Sequence, residues 1–203
     1  MSRQLDSGMI TKLRAFFKKF PTVHLGNIVL RDMRMNDNIE YFKYLNHPMV
    51  SQYLSDEDIP QNEQEALECV KSWGSLFYNK QGIFWTIADT ATDKLIGSIG
   101  LSSWNFMNRR AEISYDLAHE CWGNGIATKA ISNVLQIAFR DMGLYRIEAR
   151  TLPINKTSQH LLNKFYFKQE GILRGYRIIR GKPEDILMYS LIEPDYPELL
   201  MKK

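Results

Sequence analysis

The sequence contains little cysteine and no long apolar run, and both absences restrict the class of protein that it can encode. Cys69 and Cys121 are its only cysteines, too few and too isolated for a disulfide scaffold or a zinc site. Two thiols and no secretory signal favour a reducing, cytoplasmic location. No apolar stretch approaches the roughly 20 residues of a membrane-spanning helix. None of the histidines has a second ligand at metal spacing, so we expect no metal.

The overall composition is that of an ordinary globular protein. Of the 203 residues, 44% are hydrophobic and 24% are charged, and the formal net charge is +3. So small a positive charge requires neither nucleic acid nor a membrane surface as a partner, and we expect no direct nucleic-acid binding. No repeat, low-complexity tract or long linker divides the chain, so residues 22–203 are predicted to form one domain, as a monomer or a homodimer.

Residues 1–21 are predicted to add an amphipathic helix in front of this domain. Leu5, Leu13, Phe16 and Phe20 recur at helical spacing, with lysines and an arginine between them. A basic amphipathic helix can lie on a membrane, or it can dock on its own domain or on a second subunit. We favour docking, because that is the commoner use of an apolar helix face.

The rest of the sequence changes between helical and strand patterns. Alternation with period two predicts three antiparallel strands joined by hairpins, at residues 83–89, 94–104 and 109–119. Further strands are predicted at residues 24–33, 144–152 and 185–192, and helices at 36–47, 61–80, 126–143 and 155–167. The fold class is therefore predicted as α+β, with a mostly antiparallel central sheet and helices on both faces.

Two glycines stand where the third of these strands gives way to a helix, in the stretch ECWGNGIATKAI at residues 120–131. Gly123 and Gly125 leave successive backbone N–H groups without side-chain cover, and the following helix adds the positive end of its dipole. Such an arrangement can bind a pyrophosphate, or it can be a tight turn and nothing more. It is neither a Walker loop nor a dinucleotide fingerprint, because no Gly-Lys-Ser/Thr and no third glycine follow.

The order of these segments resembles the GCN5-related N-acetyltransferase (GNAT) family, and within it the RimJ/RimL branch. The resemblance covers residues 22–194 and depends on three motifs, AEISYDLAHECWGNGIA, NKTSQHLLNKFYF and EGILRGYRIIRGKPEDILMYSL. It implies acetyl-CoA as the cofactor and an amine as the acetyl acceptor, either a protein N-terminus, such as that of a ribosomal protein, or a small molecule. It also implies a pyrophosphate loop made of Trp122, Gly123, Asn124, Gly125, Ile126 and Ala127.

The sequence departs from the family pattern at three positions. Trp122 stands where the loop usually begins with glutamine or arginine, so we expect the loop to act through its backbone amides alone. Tyr166 replaces a glycine that is usual near the end of the second motif. Leu162 occupies the position at which many relatives have a tyrosine that acts as general acid, which excludes a tyrosine acid at that position.

Strand alternation places Glu112, Ser114 and Asp116 on one face of a central strand. Two carboxylates on such a strand are unusual, because burial of an unpaired charge is costly. The incoming amine arrives as an ammonium and must lose a proton. Glu112 is the leading candidate for the general base, since the branch has a proposed base there, and Asp116 is its competitor. Alternatively, Glu112 pairs with Arg109 or Arg110 and has no chemical role.

The thioester carbonyl and the departing thiolate need further groups. The resemblance implies that a backbone N–H of Leu117 or Ala118 stabilises the oxyanion and that pantetheine binds along the same strand edge. Ser158 is the candidate acid for the thiolate, because a cap at Asn155 would place it in the first turn of a helix. The same spacing is common in local hydrogen bonding, and Asn155 either contacts the cofactor or only caps the helix.

We therefore interpret the chain as an acetyl-CoA-dependent N-acetyltransferase that transfers the acetyl group directly in a ternary complex. Cys121 has no histidine partner in its sequence context and is not expected to form a covalent intermediate. A non-catalytic acyl-CoA-binding module is the first alternative, and an RNA-associated protein that uses the basic segment at residues 174–182 is the second. The acidic segment at residues 55–58 either attracts a cationic amine or is solvated.

Overall fold

The computed structural model of the chain describes residues 7–196 and arranges them around one eight-stranded sheet. Leu5 of the predicted N-terminal helix and residues 197–203 of the predicted domain lie outside the described residues. The strands are β1 (Val23–His24), β2 (Ile28–Arg31), β3 (Ile83–Asp89), β4 (Leu95–Asn105), β5 (Arg110–Leu117), β6 (Arg146–Thr151), β7 (Lys168–Ile179) and β8 (Lys182–Ile192). The α-helices of this part are α1 (Ser7–Phe16), α2 (Asn38–Leu45), α3 (Pro48–Ser51), α4 (Glu63–Tyr78), α5 (Ile126–Gln136) and α6 (Lys156–Lys164).

The sheet has the strand order β1-β2-β3-β4-β5-β6-β8-β7. Among the described residues, every neighbouring pair of strands is antiparallel except β5 and β6. These two strands pair only through residues 110–112 and 146–148, although β5 continues to Leu117 and β6 to Thr151. They therefore diverge after a short contact, and the gap between them lies in the middle of the sheet.

The predicted fold class is confirmed, and so are the three antiparallel strands β3, β4 and β5. The predicted strand at 24–33 is wrong in detail, because Gly26 at φ 81° turns the chain and divides it into β1 and β2. The edge strand β7 was not predicted. Its register shifts twice against β8, between Gln169 and Gly171 and between Leu173 and Arg177, and these irregularities disturb the alternation on which a strand prediction depends.

The two faces of the sheet are covered by different helices. Ile83, Trp85 and Ile87 of β3 are buried in a core that they share with α5. Phe84, which points the other way, stacks on Trp73 of α4 with ring centroids 4.5 Å apart. Burial of apolar side chains on both faces stabilises the sheet and fixes the direction in which each residue of the central strands points.

Helix α1 packs against the domain through its apolar face. Leu13 is buried in the main core, and the ring of Phe17, just after the helix, stacks on Trp104 of β4 at 5.3 Å. The indole of Trp85 donates a hydrogen bond of 2.7 Å to the carbonyl of Pro21, which ties down the chain ahead of β1. Within residues 7–196, no helix is long and apolar enough to cross a membrane.

Helix α2 is anchored by a buried ion pair at its start. Asp37 directly precedes the first residue of the helix, but its carboxylate does not cap the helix. It binds Arg31 of β2 instead, with two contacts of 2.8 Å, and accepts a hydrogen bond of 2.9 Å from Thr86 of β3. The helix is thereby fixed on the face of the sheet to which Asp116 points.

Helix α6 ends in a Schellman motif with an unusual residue. The amide of Phe167 donates to the carbonyl of Leu162 at 3.0 Å, and the amide of Tyr166 donates to that of Asn163 at 3.0 Å. Tyr166 has φ 65°, a backbone conformation that glycine adopts without strain and other residues rarely adopt. The position at which the family usually has glycine thus keeps the glycine conformation here.

We predict that Tyr166→Gly stabilises the protein. Relief of left-handed strain should raise the free energy of unfolding by about 1–2 kcal/mol. The greater freedom of glycine in the unfolded chain offsets about 0.5–1 kcal/mol of this. The net gain in the free energy of unfolding is therefore about 0.5–1 kcal/mol. Denaturant unfolding measures this gain. Lys164→Gly, in the same helix end but at a helical position, is the matched control and should lose about 1 kcal/mol. A lower free energy of unfolding in both variants would contradict the inference that the backbone at Tyr166 is strained.

Candidate functional site

A cleft of about 800 Å³ opens where β5 and β6 diverge. It is lined by β5, by the loop that leads into α5, by β6, by the start of α6 and by the α2–α4 region. Nine of the eleven residues expected in the site line it: Glu112, Leu117, Trp122, Gly123, Gly125, Ile126, Ala127, Asn155 and Ser158. Asn124 and Ala118 are not among the lining residues, whereas the competing carboxylate of Asp116 is.

The glycine loop at the head of α5 has the geometry of an anion site. Gly123 at φ 77° and Gly125 at φ 72° are both left-handed, and Gly125 is the N-cap residue, directly before α5. In the part of the chain that the structure describes, the amides of residues 123–127 have no protein acceptor. A Cβ atom on either glycine would meet nothing within 4 Å. These amides and the positive helix end can therefore bind a phosphate group.

The peptide groups just before the loop are already hydrogen-bonded. The amide of Ala118 donates to the carbonyl of Ile96 on β4 at 2.8 Å, so Ala118 must be removed from the expected oxyanion donors. Successive amides of a strand point to opposite sides, so that of Leu117 is directed away from β4. Among the described residues no strand pairs with β5 on that side beyond residue 112. Of the two expected oxyanion donors, the amide of Leu117 is thus the one that remains.

Asp116 lies at the cleft in a network of neutral donors. Its Oδ1 accepts hydrogen bonds from the Tyr44 hydroxyl of α2 and from the Ser98 amide of β4, the latter at 2.9 Å. Within residues 7–196, its Oδ2 accepts one hydrogen bond, from the Ser98 hydroxyl at 3.0 Å. Burial raises the pKa of Asp116 to about 6, although these hydrogen bonds act in the opposite direction. The carboxyl group is therefore poised to exchange a proton near neutral pH.

Glu112 is held by a partner that sequence reasoning missed. Its two carboxylate oxygens bind Arg150 of β6, one through Nε at 2.7 Å and the other through Nη2. The expected alternatives are not its partners, since Arg110 pairs with Glu148 at 2.8 Å and Arg109 Nε donates to a backbone carbonyl. Arg150 also reaches Tyr176 of β7. Both oxygens of Glu112 are thus engaged by a guanidinium group.

Ser158 is in the expected place and has an unexpected neighbour. Asn155 directly precedes α6 and its side chain accepts a hydrogen bond of 3.0 Å from the Ser158 amide, so its capping role is observed. The Ser158 hydroxyl lies 3.0 Å from the hydroxyl of Tyr115 on β5. Burial raises the pKa of Tyr115 to about 12, so this phenol remains protonated. Strand alternation already placed Tyr115 on the face opposite Glu112, but the contact with α6 required the tertiary fold.

The acidic and basic segments singled out in the sequence bind each other. Arg177 of β7 contacts both Ser55 and Asp58, and the amides of Arg180 and Gly181 donate to the carboxylate of Asp56 at 2.8 and 3.2 Å. The acidic segment at residues 55–58 is therefore not a freely solvated loop. Because Ser55, Asp58 and Arg177 line the cleft, this contact forms its outer wall.

Two further residues do not support other chemistry at the site. Burial raises the pKa of the Cys121 thiol, and the carboxylate of Glu120 adds to this effect, which is the opposite of what a thiolate nucleophile needs. Leu162, at the position of a tyrosine in many relatives, is buried in the core. Within residues 7–196, no group of three or more histidine, cysteine, aspartate or glutamate side chains is arranged to hold a metal ion.

Comparison with known proteins matches the chain over most of its length. Residues 27–168 match the model of a family described as an acetyltransferase (GNAT) domain. A protein of Bacillus subtilis (strain 168), named uncharacterized N-acetyltransferase YoaA, is 35% identical over 175 residues. The aligned region covers 86% of this chain and 98% of that protein.

Solved structures share the fold at lower identity. The ribosomal-protein-S5-alanine acetyltransferase of Vibrio fischeri superimposes with a TM-score of 0.75 at 21% identity, over 87% of this chain and 99% of that one. RimJ of Mycobacterium smegmatis, in complex with a coenzyme A disulfide, has a TM-score of 0.74 at 22% identity, over 84% of each chain. At these identities the two structures support the fold alone.

We predict that Gly125→Ala weakens the binding of acetyl-CoA about tenfold. A methyl group would enter the open space in front of the loop amides, and left-handed strain of about 1–2 kcal/mol would distort the loop. Isothermal titration calorimetry measures the dissociation constant. Gly26→Ala is the matched control, since Gly26 has φ 81° and equally open surroundings but lies in the turn between β1 and β2. Equal affinity in both variants would refute a phosphate role for the loop.

Proposed function

The chain belongs to the acetyltransferase (GNAT) family, and from this premise we propose that it transfers an acetyl group directly from acetyl-CoA to a primary amine held in the cleft. Acetyl-CoA is the acetyl donor of this family, and the enzyme is an N-acetyltransferase. The observation that carries the proposal is that one cleft combines three features: a carboxyl group whose pKa is about 6, a strand edge that no described strand pairs with, and loop amides that have no acceptor in the described part of the chain.

The donor is held by backbone groups in this proposal. The amides of residues 123–127 bind the diphosphate, and the open edge of β5 beyond Glu112 receives the pantetheine arm by main-chain hydrogen bonds. The amide of Leu117 then stabilises the negative charge that develops on the thioester oxygen. Asn155 is assigned to capping, because its side chain already binds the amide of Ser158.

We assign proton removal from the ammonium to Asp116, and this reverses the order of candidates expected from the sequence. A base with a pKa near the working pH combines the correct protonation state with sufficient driving force. Asp116 has such a pKa and a second oxygen with a single protein donor, whereas both oxygens of Glu112 bind Arg150. Glu112 is instead the ion-pair partner of Arg150, which joins β5 to β6 at the point where the two strands begin to separate.

The reaction then balances as follows. The ammonium gives one proton to Asp116, its nitrogen attacks the thioester carbon, and the carbon–sulfur bond breaks. Ser158 gives its hydroxyl proton to the departing thiolate near the positive end of α6. Tyr115 stays protonated, because burial raises its pKa to about 12, and its hydroxyl, 3.0 Å from that of Ser158, can donate a hydrogen bond to the Ser158 oxygen. The second proton of the amine leaves its nitrogen as the carbon–sulfur bond breaks and restores the Ser158 hydroxyl. The proton on Asp116 is lost to solvent, so that one proton is released for each acetyl group transferred.

The acceptor side of the cleft suits a cation attached to an apolar body. Tyr41, Trp73 and Phe84 supply aromatic surface, and the carboxylates of Glu57 and Asp116 supply negative charge. A peptide N-terminus and a polyamine both meet this description. A peptide N-terminus is the first acceptor class to test, because its side chains can supply the apolar body that the aromatic surface of the cleft suits.

A free-thiol release assay tests the function. Acetyl-CoA is mixed with the protein and with peptides that begin with alanine, serine or methionine, with a polyamine, or with Nα-acetyl-lysine, and mass spectrometry confirms each acetylated product. Release of thiol that depends on one class of amine supports the proposal. Binding of acetyl-CoA without thiol release from any amine would identify an acyl-CoA-binding module instead.

The assignment of the base predicts a specific pH dependence. Because Asp116 must be ionised to accept a proton, kcat/KM for the amine should fall as the pH falls through about 6. Asp116→Asn should lower the rate by about 10²–10⁴ and remove this acidic limb. Glu112→Gln is the matched control, in which the limb should persist. If the limb instead disappears only in Glu112→Gln, then Glu112 is the base.

The Tyr115–Ser158 contact predicts a non-additive pair of substitutions. Ser158→Ala should lower kcat by about tenfold or more without weakening acetyl-CoA binding, because the proton donor acts on the leaving group. Tyr115→Phe should have a smaller effect of the same kind. In the Ser158→Ala background, Tyr115→Phe should change kcat little, since its hydrogen-bond partner is gone. Fully additive effects in steady-state kinetics would show that the two hydroxyl groups act independently.

A further inference from the structure

Trp122 connects the end of β5 to the glycine loop. It stands directly before Gly123, at the position where the family pattern has glutamine or arginine. Its indole Nε1 donates a hydrogen bond of 2.8 Å to the carbonyl of Leu117, five residues earlier. The side chain therefore bridges the strand end that would hold the thioester and the loop that would hold the diphosphate.

This hydrogen bond completes the fixation of one peptide group. The carbonyl of Leu117 and the amide of Ala118 belong to the same planar unit. The carbonyl is bound by the Trp122 indole, and the amide is bound by the carbonyl of Ile96 on β4, also at 2.8 Å. The peptide plane can no longer rotate, and the direction of the neighbouring amide of Leu117 is set with it.

The ring of Trp122 is itself held from the acceptor side. It packs edge-on against His119 at 5.0 Å and lies 6.3 Å from Tyr53, which follows α3. His119 in turn stacks on His47, just before α3, at 5.1 Å and almost parallel. Trp122 and Tyr53 both line the cleft. The aromatic contacts therefore join the acceptor wall to the same peptide group that the indole N–H fixes.

We propose that Trp122 is a positioning residue, which orients the Leu117 amide for the thioester and holds the glycine loop at a set distance from the strand end. The inference rests on the proposed function, because it gives the Leu117 amide a role in the transfer. It adds that a side chain, and not the backbone alone, determines the geometry of this cofactor site. Trp122 touches no reacting atom and acts only through Leu117 and the loop.

Trp122→Phe tests the inference, because it keeps an aromatic ring and removes the indole N–H. We expect the dissociation constant of acetyl-CoA, measured by calorimetry without any acceptor, to rise about tenfold, which is the size of effect that loss of one hydrogen bond to a part-buried carbonyl can have. We expect kcat to fall and the KM of the amine to stay within about twofold. Hydrogen exchange at the amide of Ala118 should become about tenfold faster, since the peptide group is no longer held at both ends.

Trp104→Phe is the matched control, since this tryptophan lies on β4 among Phe17 and Phe106, away from the cleft. It should change the melting temperature by a similar amount and leave acetyl-CoA affinity unchanged. If Trp122→Phe does not fold, Trp122→Tyr makes the same test with a different ring. A lower melting temperature alone, or a change in the KM of the amine alone, would overturn the inference. If the wild type acetylates no amine, the calorimetric and hydrogen-exchange measurements still test whether Trp122 positions the loop and the peptide group of Leu117.

Discussion

The short parallel contact between β5 and β6 is the constraint on which the rest of the site depends. Three residues of each strand pair, and the strands then separate while each remains bonded on its other side, β5 to β4 and β6 to β8. Separation leaves backbone donors on β5 without a strand partner, in the middle of a sheet where such groups are normally paired. The same divergence brings the glycine loop, the start of α6 and the carboxylates of β5 around one cleft.

Charge is distributed unevenly around that cleft. Glu112, Glu148 and Arg150 belong to a ladder of ion pairs across β5 and β6, so their charges are balanced within the sheet. The donors that Asp116 receives from the described part of the chain are neutral, and burial disfavours its ionised form. The environment of the Asp116 carboxyl group thus does not favour stability, and such unfavourable environments are typical of functional positions.

Much of this arrangement could be predicted from local sequence, and the rest depended on contacts between distant residues. Gly125 could be placed at the turn between β5 and α5, because glycine readily adopts the left-handed conformation that this turn has. Asn155 could be placed as the cap of α6. The partner of Glu112 could not, since Arg150 is 38 residues away and reaches it only through the parallel pairing of β5 and β6. The choice of Leu117 over Ala118 as the oxyanion donor required knowledge of the direction in which each backbone amide points, and the sequence does not specify that direction.

The position of β8 between β6 and β7 has a consequence for synthesis of the chain. β8 is the last strand of the described residues, yet it supplies neighbours on both of its sides, to β6 from Arg146 onward and to β7 from Lys168 onward. While a nascent chain is still emerging from the ribosome, β6 has one edge exposed and β7 has no partner at all. The sheet can therefore close only after β8 has been synthesised, and until then its unpaired strand edges are open to pairing with other chains.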